Sequence, residues 1–169
     1  RNEVIFLKVL FCHDGPLRKD NEGNYYGVAH NDEMFKRYFH IGDELTVLIR
    51  VKQISNDECT NLSKITLEDR FKVVECPNFS SFKGLLKNYK KANMIIEQAV
   101  KETDYVVVRN SQIGSLAIKY IKKYKKPYLM EVVSCVWDGL RNHSLKGKII
   151  APFRFLKVKK EVKEAPYVV

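Results

Sequence analysis

The chain has 169 residues with 30 Lys and Arg against 20 Asp and Glu, which gives a net charge of +10 at pH 7. Its length predicts one domain, and a composition that is 45% apolar and 11% aromatic excludes global disorder. No apolar run approaches the roughly 20 residues of a membrane-spanning helix. The excess of cations predicts an anionic partner, which can be nucleic acid, a phosphorylated substrate or an acidic membrane surface.

The four cysteines predict reduced thiols in a cytoplasmic protein. They are far apart in the sequence and form no C-x-x-C pair. None of the four histidines has zinc-ligand spacing with them, so no metal site is expected. Residues 4–12 are apolar except for Lys8 and are followed by no small-residue cleavage site, which favours a buried strand over a signal peptide.

Apolar runs alternate with helical patterns along the chain. We predict strands at residues 5–12, 44–51, 71–75, 105–108 and 128–133. Helices are predicted after Gly27, after Ser80 or Ser81, over residues 113–124 and after Pro152. Loops are predicted at residues 13–27, 55–64 and 134–139. Residues 167–169 resemble a strand cut short and the first residue is not Met, so we expect a piece of a longer protein.

This alternation predicts an α/β fold, a Rossmann-like doubly wound, mostly parallel sheet with helices on both faces. The strand order is expected to be 3-2-1-4-5. Ligands of such sheets bind beyond the carboxyl ends of the strands, where the strand order switches. The first loop, the end of strand four and the end of strand five would then face one another.

The first loop is predicted to line this site. It contains no G-x-G-x-x-G and no P-loop lysine, so dinucleotide binding and P-loop phosphate transfer have little support. A surface loop with turn glycines is the alternative interpretation. The residues of the loop that we select for acceptor binding are Asp14, Gly15, Tyr25 and Tyr26.

The end of strand four supplies two further candidates. Arg109 can hold a phosphate or a carboxylate in a bidentate geometry, although a structural ion pair explains it equally well. Ser111 can cap the following helix, and the amides at that helix start can favour an anion.

The end of strand five supplies three candidates. Glu131 interrupts an apolar strand, which is costly unless the carboxylate is paired or lies at a site. We select Glu131 and Asp138 as catalytic, with Glu131 as a general base, and leave open a structural ion pair for Glu131. Trp137 can stack on a sugar ring in acceptor binding, although an ordinary core tryptophan is equally compatible with the sequence.

Residues 145–165 are strongly basic. They contain seven Lys and Arg against two Glu, with six large apolar residues between them. This pattern fits contact with an anionic membrane surface, and it fits a solvated helix with one core face equally well.

Four segments together resemble the N-terminal half of a GT-B glycosyltransferase of family four, the retaining enzymes of bacterial surface polysaccharide biosynthesis. The resemblance covers most of the chain and is strongest in the last of these segments. They are KVLFCHDGP at 8–16, GNYYG at 23–27, YVVVRNSQIG at 105–114 and KPYLMEVVSCVWDGLRNHSLKGKIIAP at 126–152.

The resemblance implies two Rossmann-like lobes with a cleft between them. Residues 1–169 would form the single acceptor-binding domain, and a second domain outside this chain would bind the nucleotide-sugar co-substrate through a pair of glutamates. The acceptor would be a saccharide or a polyprenyl-linked saccharide. No metal or other cofactor is implied. The whole enzyme would be a hexosyltransferase, cytoplasmic or peripheral at the inner face of the plasma membrane, and this chain alone would be inactive.

The sequence also allows two other classes of function. A stand-alone α/β module could bind nucleic acid with its basic surface, but no RNA-binding aromatic motif or recognition helix is present, so we expect no nucleic acid partner. A phosphorylation-controlled signalling domain would need several acidic residues at the end of strand one, where the sequence has only Asp14.

Overall fold

The computed structural model describes residues 6–67, 69–141 and 145–169. Its strands are β1 Lys8–Lys19, β2 Tyr25–Gly27, β3 Glu44–Gln53, β4 Ser63–Lys64, β5 Phe71–Glu75, β6 Tyr105–Arg109, β7 Tyr128–Glu131 and β8 Tyr167–Val168. Its α-helices are α1 Asp32–Lys36, α2 Phe82–Lys101, α3 Gln112–Tyr124, α4 Val136–Arg141 and α5 Leu145–Glu164. Two 3-10 helices cover Arg37–His40 and Asn56–Cys59.

The described strands form one mixed sheet whose main part is parallel. The parallel strands lie in the order β5-β3-β1-β6-β7-β8. The predicted order 3-2-1-4-5 is therefore confirmed, and β8 adds a sixth strand beside β7. Strand β2 pairs antiparallel with the C-terminal end of β1, and β4 pairs antiparallel with β2. The fold is mixed α/β and Rossmann-like.

The sheet separates two apolar cores because successive side chains of a strand point to opposite faces. Leu10 and Cys12 pack with α2, α3 and α5 on one face. Val9 and Phe11 pack with α1 and the first 3-10 helix on the other. A strand that is buried on both faces reads as a continuous apolar run, which explains the pattern at the start of the chain.

Strand β1 is longer than predicted, and its predicted first residue, Ile5, lies outside the described residues. The prediction of a loop directly after Cys12 is wrong, since β1 continues to Lys19. Its pairing with β3 shifts between His13 and Leu17, which accommodates Gly15 and the following proline as a bulge.

Three other boundaries differ from the predictions. Strand β7 ends at Glu131, and the segment predicted as a loop from residue 134 contains the short helix α4. Helix α5 begins at Leu145 and includes Pro152, whereas the sequence predicted a helix only after that proline. The helix predicted after Gly27 is a short α-helix continued by a 3-10 turn.

The start of α3 is held by two side chains. Ser111 is its N-cap, as the sequence suggested, and its Oγ accepts from the amide of Gly114 at 3.0 Å. The carboxylate of Asp14 accepts from the amides of Gln112 at 2.7 Å and Ile113 at 2.8 Å. Asp14 thus places its negative charge at a helix N-terminus and fastens β1 to α3.

We predict that Asp14→Ala lowers the free energy of unfolding by about 1–2 kcal/mol, because two helix amides lose their acceptor. Urea unfolding of the full-length protein measures this change. Glu33→Ala, at an exposed position of α1, is the control and is expected to change stability by less than about 0.5 kcal/mol. Equal effects of the two substitutions would contradict the capping role.

Candidate functional site

The candidate site lies at the carboxyl ends of β6 and β7, beside His13 of β1. This edge is the switch in strand order at which the sequence predicts ligand binding. Polar residues from the ends of β6 and β7, from β1 and from the segment after β2 converge there. We call them the crevice cluster: His13, His30, Arg37, Tyr38, Arg109 and Glu131.

The crevice cluster is built around a buried ion pair. Arg109 and Glu131 are register partners in the parallel pair of β6 and β7. Arg109 Nε donates to Glu131 Oε2 at 2.8 Å, and both residues are buried. The guanidinium carbon of Arg109 lies 5.0 Å from the ring centroid of Phe11. A buried charge needs a partner, so the structural ion pair that the sequence left open explains how Glu131 is accommodated in an apolar strand.

Two residues of the first 3-10 helix add to this ion pair. Arg37 Nη2 lies 3.2 Å from both carboxylate oxygens of Glu131, and it also donates to the hydroxyl of Tyr38 at 2.8 Å. Tyr38 in turn donates to Glu131 at 2.9 Å. Burial raises the pKa of Tyr38 to about 12, so its hydroxyl keeps the proton that it donates. About half of the Arg37 side chain is exposed, which leaves donors available to a further anion.

Two neutral histidines complete the cluster. The rings of His13 and His30 have centroids 5.0 Å apart, and His30 Nε2 lies 3.5 Å from Arg109 Nη1. Burial, together with the positive charge of Arg109, lowers the pKa of His30 to about 4. Burial and the neighbouring His30, Arg109 and Arg50 lower the pKa of His13 to about 3. At pH 7 each ring therefore has one donor and one acceptor nitrogen.

Gly15 is required by the packing of these two rings. Its amide donates to His13 Nδ1 at 2.9 Å. A Cβ at this position would lie 2.6 Å from His30 Cε1 and 2.8 Å from His13 Nδ1, which is too close for any other residue without moving a ring. Gly15 thus lies at the predicted site, in contact with the histidines.

The two tyrosines selected from the first loop make contacts in the β2 hairpin. The hydroxyl of Tyr25 donates to Glu75 at 2.8 Å, and that of Tyr26 donates to Asp20 at 3.0 Å. Tyr25 also lines a cavity of about 430 Å³ between the hairpin and β5. The Tyr25 contact joins the hairpin to β5, the Tyr26 contact lies within the hairpin, and neither involves the crevice cluster.

Trp137 and Asp138 lie in the first turn of α4, just beyond β7. Trp137 is half-buried and packs edge-on against Phe155 of α5, with ring centroids 5.9 Å apart, while Asp138 is exposed. Beside them, an apolar cavity of about 670 Å³ lies between residues 132–136 and α5. Two lysines, Lys159 and Lys163, are among its lining residues.

Four of the six residues of the crevice cluster are absent from the sequence-based selection. Its predicted members are Arg109 and Glu131, and the residues that were missed are His13, His30, Arg37 and Tyr38. The sequence signal that could have indicated these four residues is that they follow the first predicted strand, whose carboxyl end was expected at the ligand edge of the sheet. No spacing indicates that Arg37 contacts Glu131, because 94 residues separate them.

The crevice cluster has the chemistry of a site for a hydroxyl-rich anion. Two guanidiniums, those of Arg37 and Arg109, face the single carboxylate of Glu131, which leaves one positive charge in excess. The neutral rings of His13 and His30 offer hydrogen bonds of the kind that sugar hydroxyls make.

A comparison with known proteins finds similarity to protein CapJ of Staphylococcus aureus. The two sequences are 33% identical over 162 residues, which is 94% of this chain and 40% of CapJ. The chain therefore spans less than half the length of this relative. The sequence matches no protein-family model. Among the described residues, no helix is long and apolar enough to cross a membrane.

We predict that Glu131→Gln lowers the free energy of unfolding by about 3 kcal/mol, because Arg109 and Arg37 lose the carboxylate that compensates them. Glu75→Gln is the matched control, since Glu75 pairs with Lys19 at an exposed position and should change stability by at most about 1 kcal/mol. Chemical unfolding of both variants measures the difference. A cost for Glu131→Gln no larger than that of the control would contradict the central role of the ion pair.

The depressed pKa values of His13 and His30 predict a loss of stability in mild acid. Below pH 6.5 the unfolded histidines take up protons while the folded ones stay neutral until about pH 4 and 3. The free energy of unfolding should therefore fall as the pH drops from 7 to 5, by up to about 1.4 kcal/mol per histidine and pH unit. Unfolding of the wild type and of His30→Gln across this range measures the slope. A variant with the wild-type slope would contradict the assignment to His30.

Proposed function

We propose that this chain is the acceptor-binding lobe of a glycosyltransferase with two lobes of the GT-B type. The full-length enzyme moves a sugar from a nucleotide-sugar to a saccharide or polyprenyl-linked saccharide in the biosynthesis of a bacterial surface polysaccharide such as capsule. The similarity to CapJ and the Rossmann-like sheet support this proposal. The GT-B resemblance of the four sequence segments is the third support.

The observation that carries the proposal is the crevice cluster at the ligand edge of the sheet. A phosphate-linked saccharide presents an anion and several hydroxyls. In this proposal Arg37 contacts the anion, and His13 and His30 accept and donate hydrogen bonds to the hydroxyls. Glu131, already engaged by two guanidiniums and a tyrosine, holds Arg37 and Arg109 in position. The general-base role of Glu131 and the catalytic role of Asp138 stay predictions.

The apolar cavity beside β7 supports a lipid-linked acceptor. Its volume of about 670 Å³ and its apolar lining suit part of a polyprenyl chain. The cavity lies next to Trp137, which in this proposal stacks on a sugar of the acceptor.

The donor belongs to a second lobe in this proposal. The alignment covers 40% of CapJ, which leaves room in that relative for a further domain. The nucleotide-sugar is the only co-substrate proposed, with no metal or other cofactor, and the enzyme is proposed to be cytoplasmic and peripheral at the inner face of the plasma membrane.

The full-length protein is expected to release a nucleoside diphosphate from one nucleotide-sugar only when an acceptor is present. Trp137→Ala should raise the acceptor KM about ten-fold or more and leave the donor KM unchanged, because a stacking surface for the acceptor is lost. Steady-state transfer assays with a panel of donors and short polyprenyl-phosphate saccharides measure both constants.

Leu140→Ala is the control for packing lost from α4, since Leu140 is half-buried in the same helix. It should leave the acceptor KM near the wild-type value. Absence of transfer with every donor tested would contradict the proposed function, and unchanged kinetics of Trp137→Ala would remove Trp137 from the acceptor site.

A further inference from the structure

Helix α5 has two apolar stripes instead of one. Ala151 and Val158 are buried, and Val158 packs in the core that also contains α2 and α3. A second stripe with helical spacing is exposed: Leu145, Ile149 (70% exposed), Phe153 (72%) and Leu156 (61%). A surface helix of a globular domain buries one apolar stripe and exposes polar residues elsewhere. The second stripe of α5 is therefore a candidate surface for contact with another molecule.

Helix α2 shows the same feature in its N-terminal half. Phe82 (77% exposed), Leu86 (74%) and Tyr89 are spaced on one stripe and are exposed, whereas Ala92, Ile96 and Val100 in the C-terminal half of the helix are buried. Lys83, Lys87 and Lys90 form the adjacent stripe with the same spacing, so cations alternate with apolar side chains across this surface.

The topology brings the two exposed stripes to one end of the domain. Helices α2 and α5 lie on the same face of the sheet as α3. Each begins near the carboxyl edge of the parallel strands and runs back along the sheet. A groove of about 550 Å³ lies among the three helices, with Tyr89 of α2, Lys119 of α3 and Arg154 of α5 in its lining. We call this surface the three-helix face.

The three-helix face carries the positive charge of the chain. By sequence, α2, α3 and α5 contain 15 Lys and Arg and three Glu, a net charge of +12. The whole chain carries +10, so the remainder has a net charge of −2. Five cations of α2 and four of α5 have no carboxylate within 4.0 Å among the described residues: Lys83, Lys87, Lys90, Lys91, Lys101, Lys148, Arg154, Lys159 and Lys163.

We propose that the three-helix face docks on an anionic lipid bilayer. The unpaired cations are attracted to acidic lipid headgroups, and the exposed apolar stripes of α2 and α5 insert between those headgroups. A bilayer offers both kinds of contact at one surface. Nucleic acid would satisfy the cations but would leave Phe82, Phe153 and Leu156 in water. The proposal rests on the proposed function in one respect, since the proposed polyprenyl-linked acceptor is itself held in such a bilayer.

Flotation of the full-length protein with vesicles tests the docking. We expect binding to vesicles that contain one third phosphatidylglycerol in phosphatidylcholine, weakening as salt rises, and little binding to pure phosphatidylcholine. Neutralising three unpaired cations together, with Lys87→Gln, Lys90→Gln and Lys148→Gln, should weaken binding about five-fold per cation and on the order of one hundred-fold in all.

A second variant, Phe153→Ser with Leu156→Ser, removes exposed apolar side chains and should also weaken vesicle binding by at least ten-fold. The matched control neutralises three exposed lysines elsewhere, with Lys36→Gln, Lys52→Gln and Lys64→Gln, and should bind within about two-fold of wild type. Thermal unfolding verifies that all variants are folded.

Three outcomes would overturn the proposal. These are no preference for anionic vesicles, equal effects of the surface and control variants, or tighter binding to an oligonucleotide than to vesicles at the same salt. A transfer assay with a water-soluble acceptor separates this proposal from the proposed function. Loss of vesicle binding in the variants with transfer retained supports both, whereas absent transfer in the wild type with specific vesicle binding would refute only the function.

Discussion

The buried ion pair between Arg109 and Glu131 is the interaction on which the rest of the site depends. The parallel register of β6 and β7 sets the two residues opposite each other. The carboxylate of Glu131 accepts hydrogen bonds from Tyr38 and Arg37 in the segment after β2. The guanidinium of Arg109 contacts His30. One pair of charges thus joins two strand ends to the connection that follows β1. In a Rossmann-like sheet the carboxyl ends of the strands are accessible to ligands. Here a polar network lines one side of that edge, and its buried side chains have hydrogen-bond partners.

The sequence determined the framework well because its signals are local. The strand Phe71–Glu75 has the predicted bounds and α2 begins where predicted, since an apolar run defines the strand and a capping serine defines the start of the helix. The continuation of β1 past His13 was missed because glycine and proline usually end a strand, and here the pairing with β3 absorbs them in a bulge.

The candidate site could be predicted only in part, for a different reason. The topology argument located the edge and selected Arg109 and Glu131, since each follows or interrupts an apolar strand. The contact of Arg37 with Glu131 joins residues far apart in the sequence, so no periodicity encodes it. The same holds for Asp14, whose partners are amides at the start of α3. The two faces of the domain also differ in charge, which becomes visible only when the fold places α2, α3 and α5 together.

The central claim is that an acceptor binds at the crevice cluster, and histidine-selective NMR of the full-length protein tests it most directly. His13 and His30 lie in the cluster, whereas His40 is exposed on the first 3-10 helix and serves as an internal reference. Titration with a short polyprenyl-phosphate saccharide should shift the ring resonances of His13 and His30 and leave those of His40 in place. Saturable binding that leaves both cluster rings unshifted would contradict the account.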